Sequence, residues 1–230
     1  MAERSVGAKS QRSPERLRPF SIIDISRPLS PDISSFPGTP KVVFEPYRRE
    51  GGWGLQTKVT QLTHSGTHWD AATHLNRDGT RGGKTITDYP DETFVGPCIV
   101  IDVSKRQEGG VIPEDFMGKV QQGDRVLFKT RNSRHISEPF NPHYAGITGA
   151  AAIVLQRLGV VAVGIDSLSV SQPGEEGNVA HEVLLTNGIP VLEGLDLSRA
   201  EEGFYMLVAP PIKYESLDGA QTRAMLLQFE

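Results

Sequence analysis

A chain of 230 residues with 37% hydrophobic and 23% charged residues can bury a full core, as one large domain or two small ones. Its net charge of −4 offers no electrostatic footprint for nucleic acid or an anionic membrane. No apolar run approaches the roughly 20 residues that span a bilayer, and the single cysteine, Cys98, makes no intrachain disulfide.

The first nineteen residues, MAERSVGAKSQRSPERLRP, are polar and basic with no apolar signal core, so 1–19 reads as a flexible tail and the cytoplasm as the default compartment. Order is expected from Phe20, where FSIIDIS reads as a buried strand. PLSPDISSFPGTP is a turn-rich loop with Phe36 at its tip, and KVVFEPY and LQTKVTQLT follow with β-like character. GPCIVIDV reads as a buried strand that makes Cys98 plain core. IPEDFMGKV predicts a short helix with Pro113 in its first position, and DRVLFKT another strand.

TGAAAIVLQRLG is the clearest helix, with Thr148 as N-cap and Gly159 at its stop. It leads into VVAVGID, an apolar strand suited to burial on both faces. NVAHEVLLTNG predicts a second helix ending on Asn-Gly, and PVLEGLDL, FYMLVAP and TRAMLLQFE complete a strand-rich C-terminal half. Helices and strands mix without a repeat or linker, so residues 20–230 read as one α/β domain.

Some signals carry no function. DGTRGGKT resembles a phosphate loop, but Asp78 stands where the first glycine is required and Gly79 is one residue too close. Neither a G-x-S-x-G elbow nor a G-x-G-x-x-G fingerprint is present. His135 and His143 read as surface or satisfied polar groups. Arg131 and Asn132 follow a strand, a usual place for site residues. Asp166 ends a strong strand, where it either orients a metal-binding imidazole or caps a turn.

The chemistry concentrates in Leu62 to Leu75, LTHSGTHWDAATHL, which holds three of the six histidines and Asp70. Metal ligands sit about 2.0–2.2 Å from a zinc ion. On an extended strand His64 and His68 would be about 13 Å apart, whereas on a helical turn residues four apart are neighbours. Asp70 is wrong for that helical face, so the segment is expected to bend after His68, as a distorted helix or a structured loop. Further along, His181 lies in an apolar helix and Glu193 ends an apolar run, both odd positions for polar groups. Histidines and carboxylates without a thiolate suit zinc or manganese.

HSGTHWDAATH resembles the H-x-G-T-H-x-D-x-x-x-H signature of the cyclase family of metal-dependent hydrolases, which includes bacterial kynurenine formamidase and isatin hydrolase. DISRPLSPDISSFPGTP, LFKTRNS, VGIDSLSV, AHEVLLTNGIPVLEGL and DGAQTRAMLLQ extend the likeness from about Phe20 to the end. The resemblance implies a mixed-sheet domain of the swivelling β/β/α type. It implies His64, His68 and Asp70 as ligands of a first metal, His181 and Glu193 completing a second position with Asp70 as bridge, and His74 free as proton carrier. Phe36 would lie against a substrate ring, in a homodimer or larger assembly in which the loop around Phe36 could complete a neighbour's site.

The implied reaction is hydrolysis of a formamide, with N-formylkynurenine of tryptophan catabolism the leading substrate. A cyclic amide such as isatin or a lactone stands second, and a cyclase or dehydratase step in a biosynthetic pathway third. The chain departs from the family pattern at Ala72, where proline is common, and in SQPGEEGN, where an acidic residue and proline often follow the strand.

Overall fold

The computed structural model describes residues 21–75, 83–135, 139–175 and 178–229. The expected tail 1–19, Phe20 and most of the DGTRGGKT loop lie outside those residues. In chain order the elements begin with β1 (Ser21–Asp24), β2 (Val43–Tyr47), β3 (Gln56–Thr60), β4 (His68–Asp70), β5 (Val95–Asp102) and β6 (Arg125–Lys129). They continue with α1 (Gly149–Leu158), β7 (Ala162–Ile165), α2 (Val179–Thr186), β8 (Val191–Glu193), β9 (Gly203–Val208), β10 (Gly219–Gln221) and β11 (Met225–Gln228).

Nine strands form one mixed sheet in the order β1-β11-β9-β5-β6-β7-β8-β4-β10. Its centre, β5 through β8, is parallel, and every other pairing is antiparallel. β7 is buried at every position because the parallel centre is covered on both sides. On one side α1 and α2 bring Ala151, Leu155, Ala180 and Leu184 against Val126, Phe128 and Ile165. On the other, Trp69, Val100, Leu127, Leu192 and Leu207 form a second core. This is the mixed α/β domain the sequence implies.

The strong local signals hold. Thr148 Oγ1 accepts from the Ala151 N–H at 3.2 Å, and Gly159 takes the left-handed conformation at φ 74° that ends α1. Pro113 opens only a single 3-10 turn, Pro113–Asp115, shorter than the expected helix. β2 and β3 pair with each other apart from the main sheet, and all ten of their residues are exposed.

The histidine segment departs from the expected path. The chain turns before His68, through residues 63–67 with Gly66 at φ 73°, and then runs straight as β4. His68 and Asp70 share a strand face because side chains two apart point the same way. β4 lies between β8 and β10, with His68 opposite Glu193 and Gln221, and Asp70 opposite Val191 and Gly219. Trp69 and Leu192 alternate into the second core, and the Trp69 indole N–H donates to the Ala209 carbonyl at 2.7 Å. One face of three short strands thus carries polar chemistry while the other anchors it.

Where β8 ends, Gly194 at φ 67° passes directly over the turn, and a Cβ there would come within 2.3 Å of the Gly66 carbonyl oxygen. Thr67 Oγ1 donates to the Gly194 carbonyl at 2.6 Å and locks the crossing. Left-handed backbone costs a residue with a Cβ about 1–2 kcal/mol, and the backbone overlap adds to it. Gly194→Ala is therefore expected to lower Tm by at least about 4 °C, taking roughly 2–4 °C per kcal/mol for a chain of this size. A thermal melt unchanged within about 1 °C would show that the crossing is not a constraint.

Candidate metal centre

His64, His68 and His181 arrive from three different elements: the turn, β4 and α2. Each ring has its outer nitrogen satisfied by protein. His64 Nε2 donates to Asp218 Oδ2 at 2.8 Å, His68 Nδ1 donates to the Gly66 carbonyl at 3.0 Å, and His181 Nδ1 shares a hydrogen bond with the Ser171 hydroxyl at 2.8 Å. Each inner nitrogen faces Asp70, and those of His68 and His181 also face Glu193. His64 Nδ1 is 2.7 Å and His68 Nε2 3.2 Å from Asp70 Oδ1. His181 Nε2 is 3.0 Å from Glu193 Oε1 and 3.4 Å from Asp70 Oδ2, and His68 Nε2 is 3.5 Å from Glu193 Oε2.

This arrangement tests whether a cation fits. A carbonyl and a carboxylate can only accept, so the outer nitrogens of His64 and His68 carry the protons. In neutral rings the inner nitrogens are then lone pairs aimed at carboxylate oxygens. Acceptor against acceptor is repulsive unless a proton or a cation lies between. Asp70 has a side chain only 1% exposed, and its buried Oδ2 has no hydrogen-bond partner. Imidazole nitrogens and carboxylate oxygens gathered on a buried carboxylate fit a divalent ion, and fixing the outer nitrogen is how proteins orient a ligating imidazole.

Without an ion, protons take its place. Burial alone would depress His64, but hydrogen bonds to Asp218 and Asp70 outweigh it and push its pKa up to about 10. Burial opposes the same rise at His181, where the Glu193 charge and Asp70 win and the value is again about 10. Burial would raise Asp70, yet hydrogen bonds from His181, His64 and His68 hold it well below the usual carboxylate range.

The donor atoms gather as two groups that share Asp70: His68, Asp70 and Glu193, and His64, Asp70 and His74. His74 sits on the 3-10 turn Ala72–Leu75, its ring 4.1 Å from that of His64 and 5.8 Å from that of His181. It is the most exposed imidazole of the cluster, its side chain 36% exposed against 21% for His64, 4% for His68 and 8% for His181, and Nδ1 stands 3.9 Å from Asp218 Oδ2. Ala72 occupies the first position of that turn, where a proline would also fit, so the departure from the family pattern leaves the turn in place.

The cluster lies in the wall of a cavity of about 440 Å³. Phe36 lines this cavity in its own chain, together with Leu62, Tyr144 and Leu168. Phe36, Phe140 and Tyr144 form an aromatic group with ring centroids 4.9 to 6.4 Å apart.

Other expected residues serve the scaffold. The Asp166 carboxylate accepts from the N–H and hydroxyl groups of Thr130 and Ser133, at 2.6 to 3.0 Å, so it ties a turn and touches no ligand imidazole. Arg131 donates to the Gly109 and His143 carbonyls, and Asn132 to that of Ala145. Cys98 is buried, which pushes its thiol up to about 12. Sequence reading missed Asp218, Ser171 and Tyr144. The closing segment was noticed as a strand, and nothing local marks its aspartate as the partner of a histidine 154 residues away.

Comparisons with known proteins show the family and the fold. The family model described as "Putative cyclase" matches residues 23–172, which take in His64, His68, Asp70 and His74. The kynurenine formamidase of Salinibacter ruber is 35% identical over 212 residues, covering 90% of this chain and 97% of that protein. A solved structure titled as a potential metal-dependent hydrolase with cyclase activity superposes with a TM-score of 0.78 at 27% identity, covering 90% of this chain and 98% of that one. Isatin hydrolase A from Labrenzia aggregata, at 23% identity, shares the fold with a TM-score of 0.77 over 91% of this chain and 94% of its own.

Because His64 and His181 are raised above the ordinary value, both are protonated in the metal-free chain between about pH 6.5 and about 10. An ion must displace those protons, so its affinity is expected to rise with pH across that window, with about two protons released per chain near pH 8. Calorimetric titration in buffers of different ionisation heat measures the count, and uptake without proton release would contradict the ligand geometry.

Proposed function

The chain belongs to the cyclase family, and from that membership together with its site we propose that it is a metal-dependent amide hydrolase whose substrate is an aryl formamide, N-formylkynurenine first among them. The observation that carries the reading is the convergence of three inner imidazole nitrogens on Asp70 and Glu193 beside an aromatic-walled cavity. The ligands are His64, His68, Asp70, His181 and Glu193, holding one or two ions of zinc or manganese. Such an ion supplies Lewis-acid polarisation of a carbonyl and an acidified water near neutral pH.

The chain's own groups do the rest. Phe36 and Tyr144 receive the flat ring of the substrate and hold its formyl group towards the ligand cluster. His74, half-exposed at the cavity wall, accepts the proton of the attacking water and passes it to the leaving nitrogen. The water oxygen bonds to the formyl carbon, the C–N bond breaks, and formate and the aryl amine leave. The buried side of the cluster excludes bulk water, and the imidazoles around Asp70 hold that carboxylate ionised against its burial.

The active form would be a homodimer or larger assembly. Phe44, Tyr47, Trp53, Leu55 and Val59 on and around the β2–β3 hairpin are all exposed, more apolar surface than an isolated hairpin comfortably holds. Light scattering at the mass of a single 25.1 kDa chain would refute the assembly. Among the described residues no helix is long and apolar enough to cross a membrane. We assign the reaction to the cytoplasm, where the free thiol of Cys98 would stay reduced.

Metal-replete protein is expected to hydrolyse N-formylkynurenine, followed by absorbance, and chelation to abolish the activity. His74→Ala should keep the metal and lose about 100-fold or more in kcat. Loss of the metal in that variant would make His74 a ligand instead. Metal-loaded wild type without turnover would exclude this substrate and shift the choice to lactams, lactones or a biosynthetic cyclisation.

A further inference from the structure

The outer partners of the three imidazoles are not alike. His68 leans on a backbone carbonyl and His181 on a serine hydroxyl, while His64 alone leans on a carboxylate, Asp218. Asp218 is fixed from both ends. Its carbonyl accepts from the Ala71 N–H at 2.9 Å, and its Oδ1 accepts from the Thr63 hydroxyl at 3.1 Å, which leaves Oδ2 aimed at His64 Nε2. Thr63 precedes His64, so the same carboxylate grips two consecutive residues of the turn.

The next residue removes the remaining freedom. A Cβ on Gly219 would lie 2.9 Å from His64 Cε1 and 2.5 Å from the Trp69 carbonyl oxygen. The His64 ring therefore rests edge-on against bare backbone at the start of β10, with Asp218 at its far nitrogen and Asp70 at its near one. His64 comes from a turn with no strand or helix of its own to orient it, in contrast to His68 on β4 and His181 on α2.

We propose that Asp218 and Gly219 form a cradle that makes His64 a metal ligand: Asp218 binds the Nε2 proton and leaves Nδ1 as the ligating lone pair, and Gly219 gives the ring its seat. This rests on the hydrolase reading above only in so far as that reading needs a metal at Asp70. Asp218 is a positioning residue, acting through His64, and it faces His74 across 3.9 Å on the same side of the cavity.

The test is the affinity of the metal-free chain for Zn²⁺, measured by competition with a chromogenic chelator, together with the absorption spectrum of the Co²⁺ form. Asp218→Ala is expected to weaken binding about 10- to 100-fold and to change the cobalt spectrum. Asp218→Asn keeps an acceptor for Nε2–H without the charge, so it should recover part of the affinity. It also carries the test if the alanine variant fails to fold. In a His64→Ala background Asp218→Ala should cost almost nothing more, because its effect passes through the missing ring.

Wild-type affinity and spectrum in both Asp218 variants, or an equal loss with and without His64, would overturn the proposal. The hydrolase reading fails separately. A wild type that binds Zn²⁺ but turns over no formamide refutes that reading and leaves the cradle to be judged by the affinities. A wild type that takes up no ion overturns both.

Discussion

The buried carboxylate of Asp70 is the constraint on which the site depends. A charge with no water around it must be matched by other groups or it costs several kcal/mol. Here it is matched by three imidazoles delivered from a turn, a strand and a helix. Asp70 can stand there because Trp69 and Ala71, its neighbours in sequence, are fully buried and fix the strand between β8 and β10. The pairing that sets His68 opposite Glu193 follows from the same register. A slip of β4 by one residue would send His68 and Asp70 into the apolar core and bring Trp69 to the cavity.

The outer shell explains why the arrangement is specific. Gly66 adopts a left-handed conformation that turns its carbonyl onto His68, and Gly194 crosses it so closely that only a glycine fits. Ser171 and Asp218 come from distant parts of the chain to hold the other two rings. The Gly66 carbonyl and the Asp218 carboxylate can only accept, so in neutral rings the inner nitrogens of His68 and His64 are lone pairs. Protons fill the gap in the metal-free chain, which is why His64 and His181 are so strongly basic there, and a divalent ion fills it better.

Much of this was legible beforehand, for identifiable reasons. The caps of α1 and the apolar run of β7 are strong local signals, and both elements lie where the residues place them. The candidate ligands His64, His68, Asp70, His181 and Glu193 were readable through the resemblance of HSGTHWDAATH and AHEVLLTNGIPVLEGL to the cyclase family, with the crowding of imidazoles around Asp70 as the local signal. Their geometry was not. A three-residue strand is too short to show a period of two, so β4 looked like part of a loop or helix, and the bend was expected on the wrong side of His68. β10 carries less signal still, since Gly219-Ala220-Gln221 follows Asp218 directly and shows no apolar alternation of its own. Asp218 became a site residue only through the pairing of β10 with β4, which no local pattern encodes.

If the inner nitrogens and the two carboxylates hold a divalent ion, the ion itself can be located. Anomalous diffraction at the zinc and manganese edges, from crystals of metal-replete protein, tests it most directly. A peak is expected in contact with Asp70 and with at least one imidazole of the cluster, and a second, if two ions bind, beside the same carboxylate. Full-occupancy density for the side chains with no anomalous peak between them, or a peak only at a surface site, would contradict it.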